Sequence, residues 1–335
     1  MFPEEIEEYL KPLNQPAYRA MQIFEWIHSG VSDFHKMSNL PINLREYLCN
    51  NFYIADVKIE KRLESSIDDT VKYLYSLRDG EHIESVLMRY KHGYTVCIST
   101  QVGCRMGCSF CASGIDGMVR NLTASEMISQ VMTAGKDNNV RISNVVMMGM
   151  GEPLDNFDNS IRFLRLVSHE KGLNIGLRHI TLSTCGVVPG ILRLAELKMP
   201  ITLSVSIHAP NDQIRNNIMP INRKWNIVQL LEACREYINA TNRRISFEYA
   251  LMGGVNDSDE CALELASILK GMLCHVNLIP VNPVAGRENV KSERTNRFLS
   301  ILSDKGINAT VRRTLGADIN ASCGQLKRNL DKEGW

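Results

Sequence analysis

Three cysteines fall within eight residues of the chain, at a spacing that suits ligands of one small metal centre. The run Gly103-Cys104-Arg105-Met106-Gly107-Cys108-Ser109-Phe110-Cys111 has the pattern C-x3-C-x2-C. A structural zinc site needs four closed ligands, and no fourth cysteine or histidine adjoins the run. A [4Fe–4S] cluster is also usually held by four cysteines, so three would leave one iron open to a small molecule. Zinc with a remote fourth ligand and plain core packing stay open as alternatives, although a glycine-containing loop argues against packing.

The interpretation of the chain's ten cysteines depends on whether the protein lies in a reducing or an oxidising compartment of the cell. The N-terminus, Met1-Phe2-Pro3-Glu4-Glu5, is acidic and lacks the apolar segment of a secretory signal. No apolar run reaches the ~18–20 residues that a membrane span needs. We therefore predict a cytoplasmic protein without a membrane partner, in which cysteines are metal ligands, reactive thiols or core residues rather than a disulfide framework.

Composition limits the classes that remain. The 335 residues are 44% hydrophobic and 22% charged, which is ordinary for a globular protein and excludes disordered, collagen-like and coiled-coil chains. The net charge of +1, from 38 basic and 37 acidic residues, excludes a uniformly basic surface. It leaves room for a local basic face, and basic pairs occur at Arg223-Lys224, Arg243-Arg244, Arg312-Arg313 and Lys327-Arg328.

Repeated strand and helix signals describe the framework that must position the cysteine run. Residues 1–55 show helical periodicity, and two short strands with alternating side chains follow within 70–88. Strands are then predicted at Thr95–Thr100, Asn144–Met148, His179–Thr184, Ile201–Ile207, Ile245–Leu251, His275–Ile279 and Ala309–Arg312. Helices are predicted from Thr123, where Glu126 completes a capping box, and over roughly 156–170, 226–240, 258–270 and 292–305. Such alternation predicts an α/β fold with a parallel sheet whose chemistry sits at the C-terminal strand ends.

The cysteine run after the first strand of this region resembles the radical S-adenosylmethionine (SAM) superfamily. The resemblance implies that Cys104, Cys108 and Cys111 hold a [4Fe–4S] cluster whose open iron binds SAM. It also implies a partial (β/α)6-type barrel over residues 94–326, with a helical accessory domain at 1–55, a short β region at 56–93 and a tail at 327–335.

Further segments resemble one family within that superfamily, the bacterial dual-specificity RNA adenine-C2 methyltransferases. They are Cys97 to Cys104, Gly149 to Leu154, Leu182 to Thr184, Ser206 to Pro210, and Asp318-Ile319-Asn320-Ala321-Ser322-Cys323-Gly324-Gln325-Leu326. By this resemblance the predicted SAM contacts are Gly151, Glu152, Ser183, Ser206, Ile207, His208 and Asn282. The predicted catalytic residues are Glu84, Cys97 and Cys323, and the other five cysteines are assigned to packing.

The same resemblance implies a chemistry that uses two SAM molecules per turnover. One SAM methylates the Cys323 thiolate, since C2 of adenine is not a useful nucleophile. The second yields a deoxyadenosyl radical, which activates the S-methyl group for addition to C2. Cys97 then attacks the sulfur of Cys323, and cellular thiols reduce the resulting transient disulfide. Proton removal from C2 is assigned to Glu84 or Cys97.

The implied partners are 23S rRNA and tRNA as substrates, and an electron donor such as flavodoxin or ferredoxin, for a monomeric enzyme. The rRNA target is an adenine at the peptidyl-transferase centre, and the tRNA target is the adenine adjacent to the anticodon. A related enzyme that methylates C8 and confers antibiotic resistance is the close alternative. Val102 and Pro153 favour C2 in that comparison. A non-catalytic zinc-containing RNA-binding protein is the alternative from another class, but it leaves Cys97 and Cys323 unexplained.

Overall fold

The computed structural model describes residues 1–281, 290–319 and 321, and strands form its centre. In chain order they are β1 Lys58–Glu64, β2 Val71–Ser76, β3 His82–Tyr90, β4 Gly93–Cys97, β5 Gln101–Gly103, β6 Met118–Asn121, β7 Ile142–Met147, β8 Ile180–Thr184, β9 Thr202–Ser206, β10 Ile245–Leu251, β11 Cys274–Pro280 and β12 Ala309–Val311. Ten of them form one sheet, in the order β1-β2-β3-β4-β7-β8-β9-β10-β11-β12, while β5 and β6 form a separate antiparallel pair.

The large sheet changes character at β4. Strands β1 to β4 pair antiparallel, whereas β4 and the strands that follow it pair parallel, each beside its predecessor in the sheet. Parallel neighbours joined in sequence require crossovers of one hand, which places the connecting helices on one face. The predicted α/β architecture with a parallel, barrel-type sheet and a β extension is confirmed.

Helices supply the outer layer and the N-terminal region. They are α1 Pro3–Leu10, α2 Tyr18–His28, α3 Ile42–Asn51, α4 Ala124–Asp137, α5 Phe157–Val167, α6 Val188–Leu197, α7 Asp212–Ile218, α8 Ile227–Thr241, α9 Asp259–Leu269 and α10 Thr295–Asp304. The predicted capping box of α4 is present. Thr123 Oγ1 accepts from the Glu126 N–H at 3.2 Å, and the Glu126 carboxylate accepts from the Thr123 N–H at 2.8 Å. The prediction missed α6, which has proline and glycine in its first turn, and α7, which is short and polar.

The predicted strand Thr95–Thr100 is wrong beyond Cys97. The amide of Gln130 takes over the hydrogen bonds that a neighbouring strand would make with Ser99, accepting from its N–H at 2.8 Å and donating to its carbonyl at 2.9 Å. The Ser99 hydroxyl donates to the Glu84 carbonyl at 2.6 Å. These side-chain bonds end the ladder and turn the chain into β5, which carries the cysteine run away from the main sheet.

The N-terminal helices and the β extension pack on the barrel. Ile6, Phe24 and Leu48 belong to the same buried apolar cluster as Leu122 and Ile128. Strand β1 was not predicted because it is charged and mostly exposed, and its pairing with β2 defines it. The predicted domain boundaries at residues 55, 93 and 326 stay predictions.

Candidate active site

A cavity of about 400 Å³ opens at the C-terminal ends of the parallel strands, where the sequence pattern predicted chemistry. Of the predicted site residues, those that line it are Cys97, Cys104, Cys108, Cys111, Gly151, Glu152, Ser183, Ser206 and His208. Residues far apart in the chain therefore share one cavity. Asn282 and Cys323 lie outside the described residues.

The cysteine run forms the long connection between β5 and β6. The Cys104 N–H donates to the Gly117 carbonyl at 2.8 Å and closes the base of this connection. Gly103 has φ +74°, and a Cβ there would lie 2.0 Å from the Gly117 oxygen, so only glycine fits. The Ser109 N–H donates to the Ile218 carbonyl at 2.9 Å, which docks the middle of the run against the end of α7.

Burial affects the ionisation of two of the three thiols. It raises the pKa of Cys104 to about 12. Burial, and then proximity to Cys111 and Cys104, also holds the pKa of Cys108 well above its ordinary value. Without a cation the buried thiols stay protonated, and a bound metal deprotonates a coordinating thiol. Grouped thiols that become anionic only together with a metal fit the donor set of an iron–sulfur cluster.

Cys185 also borders the cavity, although sequence reasoning assigned it to packing. Its thiol bonds to the carboxylate of Glu152, and burial raises the pKa of Cys185 well above the usual range. The contact ties this thiol to the carboxylate that joins the neighbouring strand ends.

Glu152 joins two neighbouring strand ends. Its carboxylate accepts from the Leu154 N–H at 2.9 Å and from the Cys185 N–H at 2.6 Å. Burial raises the pKa of Glu152, while these backbone bonds favour its charged form. Gly151 approaches Gln101 so closely, at φ +102°, that a Cβ would lie 2.6 Å from the Gln101 Cβ. The loop after β7 thereby brings a buried acceptor beside the cysteine run.

The predicted site residues at the end of β9 and directly after it lie partly at the cavity and partly in the apolar core. Ser206 lines the cavity, whereas the Ile207 side chain is fully buried in the main apolar cluster, so Ile207 can reach a ligand only through its backbone. His208 adopts φ +50°, and its Nδ1 accepts from the Ala250 N–H at 2.9 Å. Burial, and then the charge of Arg215, lowers the pKa of His208 to about 3, so the ring is neutral.

Cys97 and Glu84 lie on one face of adjacent strands. Cys97 pairs with Val86 across β4 and β3 and packs with Val86 and Met88 in a small apolar cluster at the cavity wall. Glu84 precedes Val86 by two residues, and alternation puts both on that face. Glu84 is more deeply buried than Cys97, with 1% of its surface exposed. It forms an ion pair at 3.2 Å with Lys72, which is also buried. The sequence carried no signal for this partner.

Ala321 is the described residue nearest to Cys323 in the chain. It lines the cavity and packs against the cluster that contains Cys97. Cys323 follows Ala321 by two positions in the chain.

Arg215, at the cavity's rear, is a functional candidate that sequence reasoning missed. Its side chain is fully buried, and its guanidinium donates to the carbonyl oxygens of Cys185 at 2.8 Å, Ser206 at 3.1 Å and Ile207 at 3.0 Å. A fourth bond goes to Asn222 Oδ1 at 2.8 Å. These acceptors are neutral, so Arg215 fixes the ends of β8 and β9 and brings a positive charge behind the cavity.

Glu248 is a second residue that sequence reasoning missed. It is buried and lines the cavity, where it accepts from Ser204 Oγ at 2.8 Å and from the Asn277 amide at 2.9 Å. The available signal was a single carboxylate within the otherwise largely apolar strand β10.

The basic pairs differ in position. Arg312 and Arg313 line the cavity directly after β12, and an Nη of Arg312 lies 3.9 Å from the Met148 sulfur. Arg243 instead donates to the Ile201 carbonyl at 2.7 Å and serves the fold. Lys327-Arg328 lies outside the described residues. Across the described ranges, every helix is too short or too polar to traverse a lipid bilayer.

Comparison with known proteins places this arrangement in a family. Residues 98–266 match the Radical SAM superfamily, and residues 1–54 match the ribosomal RNA large subunit methyltransferase N-terminal domain. The crystal structure of a radical SAM methyltransferase from Sphaerobacter thermophilus has a TM-score of 0.92 to this chain, with 46% identity and 97% of each chain covered.

Two sequence relatives carry one name, probable dual-specificity RNA methyltransferase RlmN. The relative from Alkaliphilus oremlandii is 56% identical over 327 residues, covering 97% of this chain and 95% of its own. The relative from Clostridium novyi is 54% identical over 329 residues, covering 97% and 96%. The chain belongs to the RlmN family of dual-specificity RNA methyltransferases, within the radical SAM superfamily.

Proposed function

We propose that this protein is a SAM-dependent RNA methyltransferase that modifies C2 of adenine in 23S rRNA and in tRNA. One observation carries the proposal: Cys97, the three cysteines of the C-x3-C-x2-C run and Ala321 line a single cavity. Family membership supplies the class of reaction, and the cavity contains four of the thiols that such a reaction would use. The C2 position, the dual substrates and the roles of individual residues are part of the proposal.

Cys104, Cys108 and Cys111 would hold the [4Fe–4S] cluster, and the residues at the ends of β7, β8 and β9 would contact SAM. When bound, the cluster supplies the electron that cleaves SAM to methionine and a 5′-deoxyadenosyl radical. The protein's part is to exclude water from that chemistry, which the buried walls of the cavity do, and to present a methyl carrier. Cys323 is the carrier, and one SAM is used to load it while a second supplies the radical.

Cys97 completes the reaction. After the methylene radical on Cys323 has added to adenine C2, the adduct would have to lose one electron, for which the oxidised cluster would be the acceptor, and the C2 proton, which goes to Glu84 or to Cys97. The Cys97 thiolate then attacks the Cys323 sulfur, the carbon–sulfur bond breaks, and a disulfide forms. The electron pair of the broken bond stays on the released carbon, which takes up a proton and becomes the methyl group. Cellular thiols supply the two electrons that reduce the disulfide for the next turnover. The position of Cys97 in the cavity wall, near Ala321, supports this role.

RNA must reach the cavity with its target base out of the stack. Arg312 and Arg313 stand at the cavity and are suited to contact phosphates, so binding should weaken as salt rises. An electron donor such as flavodoxin or ferredoxin, a monomeric state and a cytoplasmic location complete the proposal.

Paired cysteine variants test the roles of the thiols. Cys97→Ala should stop after carbon–carbon bond formation, so RNA stays covalently bound to the purified protein. Cys323→Ala should lose both the methylated thiol and the product, while Cys49→Ala, on the distant helix α3, serves as the control with normal turnover. Methylated RNA from Cys323→Ala would remove its carrier role.

Mass spectrometry of the RNA after turnover identifies the modified atom. A methyl group on C2 of the expected adenines supports the proposal. Methylation at C8 would assign the chain to the alternative reaction. Stable zinc with no SAM cleavage after anaerobic reconstitution with iron and sulfide would refute radical chemistry altogether.

A further inference from the structure

The turn between β1 and β2 binds the segment that leads to Cys323, although the two are far apart in the chain. Asp318 accepts from the Ser65 hydroxyl at 2.7 Å through Oδ1, across a separation of 253 residues. Its Oδ2 accepts from the Ser66 N–H at 2.8 Å and from the Ser66 hydroxyl at 3.1 Å. Both carboxylate oxygens of Asp318 are therefore engaged by one short turn.

Asp68, which lies in this turn, binds the same segment at Gly316, two residues before Asp318. Asp68 Oδ2 accepts from the Gly316 N–H at 2.8 Å, and Asp68 Oδ1 accepts from the Thr70 N–H at 3.2 Å. The turn therefore donates hydrogen bonds to the segment and also accepts one from it. We call these two pieces together, Ser65–Thr70 and Gly316–Asp318, the anchor.

The conformation of Gly316 sets the direction in which the chain continues from the anchor. It has φ +59°, and an added Cβ would lie 2.6 Å from the Ala321 Cβ and 3.0 Å from the Thr70 Cγ2. Its carbonyl accepts from the Ala321 N–H at 3.0 Å. The segment therefore folds back on the anchor, and this brings Ala321 to the cavity wall beside the cluster of Cys97.

We propose that Asp68 and Asp318 are positioning residues, and that their anchor sets how often the Cys323 thiol meets Cys97. The inference rests on the proposed function, in which these two thiols react. With the anchor, the last residue that the structure shows to be held is Ala321, two positions before Cys323. Without it, the nearest fixed element is β12, which ends at Val311, twelve residues before Cys323.

Tether length gives the expected size of the effect. The local concentration of a tethered group falls roughly as the −3/2 power of tether length. Lengthening the tether from two to twelve residues lowers that concentration by about 15-fold. Partial release of the anchor should produce a smaller, several-fold loss.

The experiment measures disulfide formation in the full-length protein without cofactor. Reduced protein is treated with oxidised glutathione, and the Cys97–Cys323 cross-link is quantified over time by mass spectrometry of the digest. Asp318→Asn and Asp68→Asn each put an amide nitrogen opposite a donor, because both oxygens of each carboxylate accept bonds. Cross-linking should slow several-fold in each variant, with an unchanged urea midpoint.

Asp69→Asn is the matched control in the same turn. Asp69 is exposed and pairs with Arg89 on the surface at 3.0 Å. Its φ of +55° is tolerated by asparagine. Equal cross-linking rates in wild type, Asp318→Asn and Asp68→Asn would overturn the positioning role.

Failure of the proposed function gives a different result. If the wild-type protein forms no Cys97–Cys323 cross-link, the pairing of these thiols is refuted, and the purpose assigned to the anchor is refuted with it. Amide hydrogen exchange at Ser66 and Gly316 reports the anchor without involving either thiol. Exchange that is no faster in Asp318→Asn and Asp68→Asn than in Asp69→Asn would show that the anchor does not hold in solution.

Discussion

The ion pair of Lys72 and Glu84 offers a sharp test of the site's interior. The two side chains are 0% and 1% exposed, and Lys72 Nζ lies 3.2 Å from Glu84 Oε2. At an effective dielectric constant of about 20 this separation corresponds to roughly 5 kcal/mol of attraction before the cost of desolvation. Removing one partner of a buried ion pair typically costs about 3–5 kcal/mol.

We therefore expect Lys72→Met and Glu84→Gln each to lower the free energy of unfolding by about 3 kcal/mol or more. The double variant should recover much of that loss, because it removes both charges. Urea unfolding of the apoprotein, followed by circular dichroism, measures all four members of the cycle. Arg89→Gln is the control, since its pair with Asp69 is exposed and should contribute less than about 1 kcal/mol.

Single losses below about 1 kcal/mol that add without coupling would refute the reasoning. They would mean that water or another group compensates these charges in solution. The cycle also bears on catalysis, because Lys72 is the ion-pair partner of the proposed proton acceptor. If Glu84 accepts the C2 proton, Lys72→Met should slow methyl transfer beyond what its loss of stability explains.

Three further predictions concern the cavity walls. Gly149→Ala should destabilise the apoprotein by about 1–3 kcal/mol in urea unfolding, because its Cβ would lie 2.6 Å from the Ile98 carbonyl oxygen, whereas Gly176→Ala, with no contact below 3.6 Å, should not. The pKa of His208 falls from 6.5 unfolded to about 3 folded, mainly by burial, so stability present above pH 6.5 is lost as pH falls towards 3. The loss in unfolding free energy is at most about 5 kcal/mol. His208→Asn should reduce the difference in unfolding free energy between pH 7 and pH 4.5, measured by urea unfolding. An unchanged difference contradicts the assignment. Arg215→Gln and Arg215→Lys should both lower the thermal midpoint, because neither side chain can replace all four hydrogen bonds to the neutral acceptors, and a wild-type midpoint in either variant would contradict this.

Local patterns in the sequence were sufficient to predict much of the framework. The C-x3-C-x2-C spacing identified the cysteine run because ligands of one small centre must be close in the chain. Alternating strand and helix signals predicted the parallel sheet, and the Thr123–Glu126 pattern predicted the start of α4, since caps depend on neighbouring residues. The end of β4 was mispredicted because the side chain of Gln130, distant in sequence, ends the ladder.

Only the tertiary structure decided what surrounds the reacting groups. No local pattern could pair Lys72 with Glu84, bury Arg215 behind two strand ends, or join Asp318 to Ser65. Each of these contacts links residues whose own neighbours in the chain look like ordinary surface or strand. The sequence by itself predicted the cysteine run as a group of ligands, because its residue types and spacing are local. Their charge environment and their distances depend on burial and on strand order, which exist only once the chain has folded.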